Sequence, residues 1–277
     1  MPGSNERALE KAKALSADTL IFDLEDAVRP EAKDTARQLV CEAVKSQAYG
    51  NREIIVRVNG LDTPWGEEDL AAAVAAGPDG VLLPKVESPS TLKRAKELIA
   101  REGKNSDTSI WAMIETPKGI LNVGDIAKEA ERMPLSAFVV GTNDLAKEMR
   151  VTAQPDRSNF LFALSSIATA ALAYGITPID GVYNSITDTE GLAAECEQGI
   201  QLGFKGKTLI HPAQLETANT LFAPSDAEVA EAQAIVDAFE LPENAGKGVI
   251  TVDGKMVEIL HLESARDLLA RASVIGR

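Results

Sequence analysis

Short apolar runs rich in Ile, Val and Leu alternate along this chain with longer segments of helical period, and that alternation restricts the fold more than any other feature. The strand candidates are Thr19–Leu24, Ile54–Val58, Gly80–Leu83, Ile110–Ile114, Ala137–Val140, Ile176–Ile179 and Lys207–Ile210. Between them lie stripes such as Phe160, Leu161, Leu164, Ile167, Ala168, Ala171 and Leu172, spaced to occupy one helix face. Strands of this length separated by helices, with no hairpin alternation, predict β/α units around a parallel sheet. The expectation is a TIM (β/α)8 barrel. A doubly wound open sheet has a similar strand count and remains the alternative at this point.

The texture changes after Pro224. Ser225 and Glu228 form a capping box, and the helix they open presents Val229, Ala232, Ile235, Val236 and Phe239 on one face. The Asp253-Gly254 pair predicts a tight turn between strands Val249–Val252 and Lys255–Leu260, and a last helix follows. The chain therefore divides into a catalytic barrel, 1–223, and a small α/β appendage, 224–277.

Nearly every strand candidate ends in a polar residue: Asp23, Glu25 and Asp26, then Arg57 and Asn59, then Lys85, Glu115, Asp144, Asp180 and His211. In a parallel barrel the loops after the strands share one rim, so these groups converge there. A single acid after a strand is commonly a helix cap; the repetition is what points to a site. With only two histidines a multi-histidine zinc centre is excluded. Neither a GxSxG elbow nor a GxxxxGK[ST] loop occurs. Carboxylates suit Mg²⁺, and Glu115 and Asp144, at the ends of consecutive strands, are the natural pair.

Composition narrows the partners. The net charge of −14 is dispersed, with no basic face of the kind that phosphate backbones demand, so nucleic acid is not expected. Cys41 and Cys196 are isolated. There is no signal-peptide pattern and no apolar run of membrane-spanning length, so a cytoplasmic protein without membrane association is expected.

The segments PGSNERALEKA (2–12), DLEDAV (23–28), RVNGLDTPWG (57–66), LPKV (83–86), MIETPKGI (113–120), GTNDLA (141–146), DGVYN (180–184), GFKGKTLIHPAQ (203–214) and VDGKMVE (252–258) resemble the HpcH/HpaI aldolase and citrate lyase beta-subunit family. The resemblance runs through almost the whole chain and looks closest to the malyl-CoA lyase and thioesterase branch. It implies a TIM barrel with Mg²⁺ (or Mn²⁺ in its place) on Glu115 and Asp144. It also implies substrate contact by Arg57, with Glu25 and Asp26 ordering the metal waters and Arg57. An acid comes from a C-terminal GKMVD-like motif that crosses to a neighbouring subunit; here Glu258 stands where Asp is usual. Asn59, Lys85, Thr142 and Asn143 complete the expected substrate contacts. Family members open with a strand of the form RSxLFVPGSN, whereas PGSN here follows Met1 directly, so a truncated first strand with unpaired sheet edges is expected.

The implied reaction is retro-aldol cleavage or formation of a malyl-, citramalyl- or citryl-CoA type thioester through an acetyl-CoA enolate. A small keto acid such as glyoxylate is the second product. The alternatives are a malyl-CoA thioesterase using the same metal site, and a citrate lyase beta-like subunit active only with an acyl carrier protein. The assembly implied is a homo-oligomer, trimer or hexamer. For Arg57 a purely structural ion pair with Glu25 and Asp26 is the competing reading. Trp65 and Trp111 read as packing residues, His211 as a strand-end contact, and Ser4 and Arg7 as the opening of the first helix, where a CoA phosphate is the alternative.

Overall fold

The computed structural model describes residues 1–102 and 108–275. The chain divides into two compact units, Met1–Ala218 and Asn219–Arg277.

The first unit is built on seven parallel strands: β1 (Thr19–Asp23), β2 (Glu53–Arg57), β3 (Gly80–Leu83), β4 (Ser109–Ile114), β5 (Leu135–Val140), β6 (Thr177–Asp180) and β7 (Gly206–Lys207). They neighbour one another in sequence order. A doubly wound sheet reverses its strand order at a switch point, and no reversal occurs here. Helix α1 (Glu6–Ala12) precedes β1, and the helices between the strands are α2 (Lys33–Lys45), α3 (Gly66–Ala76), α4 (Pro89–Glu102), α5 (Pro117–Leu121), α6 (Val123–Ala127), α7 (Thr142–Met149), α8 (Leu161–Ala173) and α9 (Thr189–Gln201). Asn5, one residue after the expected Ser4, caps α1 by accepting from the Ala8 N–H.

Strand parity sets what faces inward. Ile55, Leu82, Trp111, Met113, Ala137 and Val139 form one buried cluster, with Ile21 and Ile179 packed against it. Residues from β1 and from β6 touch the same cluster, so the sheet curls around it. Successive side chains alternate faces. The position after Ile21 on that face is therefore Asp23, after Ile55 it is Arg57, after Met113 it is Glu115, and after Val139 it is Gly141.

Among the described residues the sheet is a curled half-barrel of seven strands in place of the eight of a TIM barrel, and the unpaired edges expected from the sequence fall at β1 and β7. At the β1 edge Pro2 bridges Asp23 in parallel register; the Asp23 N–H donates to Met1 O at 2.9 Å and the Gly3 N–H to Asp23 O at 2.8 Å. At the other edge the expected strand Lys207–Ile210 is cut to Gly206–Lys207. The N–H groups of Ile210 and His211 donate instead to Oε1 of Gln214, at 3.1 and 3.3 Å, and His211 caps the 3-10 turn at Pro212. A side chain thus takes the bonds that a further strand would have used.

Helix α10 (Leu215–Phe222) crosses the division between the units. In the second unit α11 (Asp226–Glu240) opens on the reciprocal Ser225–Glu228 capping box. The antiparallel pair β8 (Val249–Val252) and β9 (Lys255–Glu258) follows, and then α12 (Ile259–Ile275). Ala232 and Val236 of α11 pack on Ala265 of α12, flanked by Leu262 and Leu269. β9 is shorter than expected because His261 Nδ1 accepts the Glu258 N–H at 2.9 Å, turning the chain into α12.

Candidate active site

The inward residues at the strand ends meet. Asp23 and Arg57 are direct partners in the β1–β2 register. Arg57 forks onto Asp23, with Nε donating to Oδ1 at 2.7 Å and Nη2 to Oδ2, while its Nη1 lies 3.1 Å from Glu25 Oε2. Desolvation works to lower the Arg57 pKa, but the hydrogen bonds and charge of Asp23 and the charge of Glu25 outweigh it and hold the guanidinium above its ordinary value. In Asp23 burial acts upward and is overcome by Arg57 and by the N–H groups of Glu25 and Ala27, leaving the carboxyl below its usual range.

Of the expected partners of Arg57, Glu25 is in place, Asp23 is added and Asp26 is not paired with it. The Glu25 and Ala27 N–H groups donate to the two Asp23 oxygens at 2.8 and 3.0 Å, so the loop curls over Asp23. Glu25 turns back into the site and Asp26 is left exposed. Asp23 is among the strand-end acids expected at the rim, and its parity with Ile21 is what marks it as the partner of Arg57.

Glu25 Oε1 accepts from Lys85 Nζ at 2.8 Å, and the same ammonium lies 3.5 Å from Asp144 Oδ2. Lys85 sits just beyond β3 in the left-handed region, φ 49°, and its main-chain N–H donates to Glu115 Oε1 at 2.8 Å. The Lys85 ammonium is held above its ordinary pKa, since Glu25, Glu115 and Asp26 outweigh its desolvation. Glu115 is buried, 1% exposed. Burial pushes its pKa up to about 7, the Lys85 N–H and ammonium pull against this, and the charges of Asp144 and Glu25 add to it.

Gly141, which precedes α7, has no role in the sequence analysis and shapes the site by its lack of a side chain. A Cβ there would collide with the Glu115 carboxylate and its Cβ, so only glycine lets the Glu115 side chain lie across the end of β5. Thr142 is buried at the start of α7, and Asn143 is exposed and exchanges hydrogen bonds with Asn184 at 2.7 and 3.1 Å.

Asn59 is not among the residues offered to a ligand, which corrects another expectation. It is buried, its Nδ2 donates to Leu24 O at 2.8 Å and to Asp69 Oδ2, and its Oδ1 accepts from Lys33 Nζ at 2.7 Å. Lys33 also donates to the carbonyls of Leu24 and Glu25 at 2.7 and 2.8 Å, under the Trp65 ring. Asn59 and Lys33 therefore support the Glu25 loop from behind. Asp180 is likewise withdrawn. It faces the helix layer, fully buried, paired with Arg157 at 2.8 Å and Lys207 at 3.0 Å, and both cations also reach Glu195. His211 ends in its cap, accepting from Ala213 N, and Trp111 lies in the core. Glu258 closes β9 in the second unit.

The donor set suits a hard divalent cation. Among the described residues the cations paired with Asp23, Glu25 and Asp144 are Arg57 and Lys85; Lys33 adds positive charge near Asp23 and Glu25 but also faces Asp69 and Asp26, so carboxylates outnumber cations around Glu115 and Asp144. Among the described residues no three Asp, Glu, His or Cys side chains gather into one coordinating group. A two-carboxylate site completed by waters and substrate oxygens is the Mg²⁺ pattern, whereas Zn²⁺ and Ca²⁺ demand more protein ligands. The residues present therefore fit Mg²⁺ on Glu115 and Asp144. No helix among the described residues is long and apolar enough to cross a membrane.

Comparison with known proteins points the same way. The (3S)-malyl-CoA thioesterase of Cereibacter sphaeroides (strain ATCC 17023) is 50% identical over 276 residues, covering 100% of this chain and 94% of that protein. Citrate lyase subunit beta of Escherichia coli (strain K12) is 38% identical over 281 residues, covering 100% and 92%. CitE from Mycobacterium tuberculosis, solved in complex with magnesium, acetoacetate and coenzyme A, is 27% identical, with a TM-score of 0.78 over 99% of this chain and 96% of that one. A homologous structure thus holds magnesium. The family model described as HpcH/HpaI aldolase/citrate lyase matches residues 1–212, and this chain belongs to that family.

Proposed function

We propose that this chain hydrolyses the CoA thioester of a malyl-type acyl group, releasing the free hydroxy-dicarboxylate and CoA. The observation that carries this reading is the charge-deficient cluster of Glu25, Glu115 and Asp144 beside an Arg57 locked by Asp23. The full-length likeness to a malyl-CoA thioesterase favours hydrolysis among the reactions such a cluster can serve.

A bound Mg²⁺ supplies Lewis-acid charge and a template for the hydroxyl and carboxylate oxygens of the acyl group. Arg57 stabilises the negative charge that develops on the thioester carbonyl oxygen; its fork onto Asp23 fixes the guanidinium before the substrate arrives, so no reorganisation accompanies the reaction. Glu25 holds both Arg57 and Lys85, with Asp26 beside it on the loop, and orders water at the site. Lys85, Thr142 and Asn143 face the acyl carboxylate. Glu258, supplied by a neighbouring copy in a homo-oligomer, removes the proton from the attacking water; the C–S bond breaks and the CoA sulfur leaves as thiolate.

The second reading is carbon–carbon cleavage, favoured by the family itself and by the citrate lyase subunits that match nearly the whole chain. In that reaction Glu258 protonates the acetyl-CoA enolate, and glyoxylate or a related keto acid remains at the metal site. Incubating the purified chain with malyl-CoA and Mg²⁺ separates the two. Hydrolysis yields malate and CoA; glyoxylate and acetyl-CoA as the sole products overturn the hydrolase reading. Turnover of the free CoA ester without any carrier protein removes the subunit reading. Activity recovered by mixing Arg57→Ala and Glu258→Ala subunits marks a site shared between copies.

A further inference from the structure

Among the described residues Lys85 is the one that bonds or ion-pairs with both expected metal ligands, and it does so with two different parts of itself. Its main-chain N–H donates to Glu115 Oε1 at 2.8 Å, and its ammonium lies 3.5 Å from Asp144 Oδ2. This double reach depends on a left-handed backbone, φ 49°, that side-chain-bearing residues seldom adopt and that tends to persist where function requires it. The ammonium is anchored more closely elsewhere, at 2.8 Å from Glu25 Oε1.

We propose that the Lys85 ammonium is a built-in competitor for the divalent cation, which neutralises Asp144 in the metal-free protein and gives it up as the ion enters. The inference rests on the reading that Glu115 and Asp144 hold the metal. A divalent ion on Asp144 repels an ammonium at ion-pair distance, and the longer, weaker contact breaks first. Glu25 then acts as the pivot that keeps the displaced lysine at the rim. The main-chain bond to Glu115 needs no charge and survives the exchange, so one ligand stays fixed while the other is handed over.

The consequence is a metal affinity set below what the two carboxylates alone would give. The Lys85 side chain is 39% exposed, so solvent weakens the repulsion, and we expect its removal to tighten divalent binding on the order of tenfold. Mn²⁺ titration followed by electron paramagnetic resonance, with Mg²⁺ calorimetry beside it, reads this without any turnover. Lys85→Met binds the ion about tenfold more tightly than wild type. Lys85→Asn, whose side chain tolerates the left-handed backbone, does the same and covers the case in which the methionine variant fails to fold. Lys85→Arg, which restores the charge, returns to wild-type affinity. Lys85 variants that bind no tighter than wild type overturn the proposal while Glu115→Gln still abolishes binding. Glu115→Gln binding as well as wild type overturns the metal assignment, and the lysine proposal falls with it.

Discussion

Replacing Glu115 with glutamine should make the metal-free protein more stable at alkaline pH, not less. Glu115 is 1% exposed, and its pKa is pushed from the ordinary 4.5 to about 7, first by burial and then by Asp144 and Glu25. Between those values the folded protein binds more protons than the unfolded chain, so stability falls as pH rises through that window, and the deficit is complete above it. A shift of that size corresponds to about 3 kcal/mol, or roughly 6 to 12 °C in melting temperature for a chain of this length. Glutamine keeps an Oε1 to accept the Lys85 N–H and carries no charge to desolvate. In EDTA, thermal and urea unfolding should show Glu115→Gln stabilised by about that amount at pH 8 and unchanged at pH 4. Mg²⁺ should stabilise the wild type and not the variant. A variant less stable than wild type at pH 8, or equally stabilised at both pH values, refutes the argument that an uncompensated buried charge sits at position 115.

Asp180→Asn removes the centre of the buried Arg157–Asp180–Lys207 group, and the expected loss is about 3 to 5 kcal/mol in urea unfolding. Its Mn²⁺ affinity stays at the wild-type value, because Asp180 faces the helix layer; a stable protein with weakened metal binding would return Asp180 to the site. Gly141→Ala should do the reverse, weakening Mn²⁺ binding by on the order of tenfold or more, since its Cβ displaces the Glu115 carboxylate. Wild-type affinity in that variant would mean that Glu115 has another way to lie.

The inward face of the sheet was legible in the sequence because a strand has a period of two and its hydrophobic run announces where that period starts. Six of the seven strand candidates match a strand within a few residues, and Glu115, Arg57, Lys85, Glu25 and Asp144 come together as their positions implied. The failures have separate causes. Asp26 and Asn59 lie on loops, where no period says which way a side chain points, and a turn built on Asp23 reverses the assignment between Asp23 and Asp26. The seventh strand looked complete because Thr208, Leu209 and Ile210 are apolar or β-branched, but strand pairing needs a neighbour. Gln214, four residues on, takes the N–H groups first. Gly141 was invisible as a site residue because what matters there is an absent atom.

Two clusters of opposite charge lie at the strand ends of the same unit, and charge balance separates them. In one, Arg157 and Lys207 face Asp180 and Glu195, two against two, with every partner supplied by the chain itself. Such a group is finished when the protein has folded, and it holds α9 to the end of β6 without needing anything more. In the other, Asp23, Glu25, Glu115 and Asp144 are paired with Arg57 and Lys85, and burial together with the charges of Asp144 and Glu25 raises the pKa of Glu115. Folding could have relieved that cost by an amide at position 115 or a further cation nearby. An excess of carboxylates left at the mouth of the sheet is what a dication arriving from solvent would relieve. The imbalance therefore distinguishes a binding site from an ion-pair network where burial and hydrogen-bond count do not.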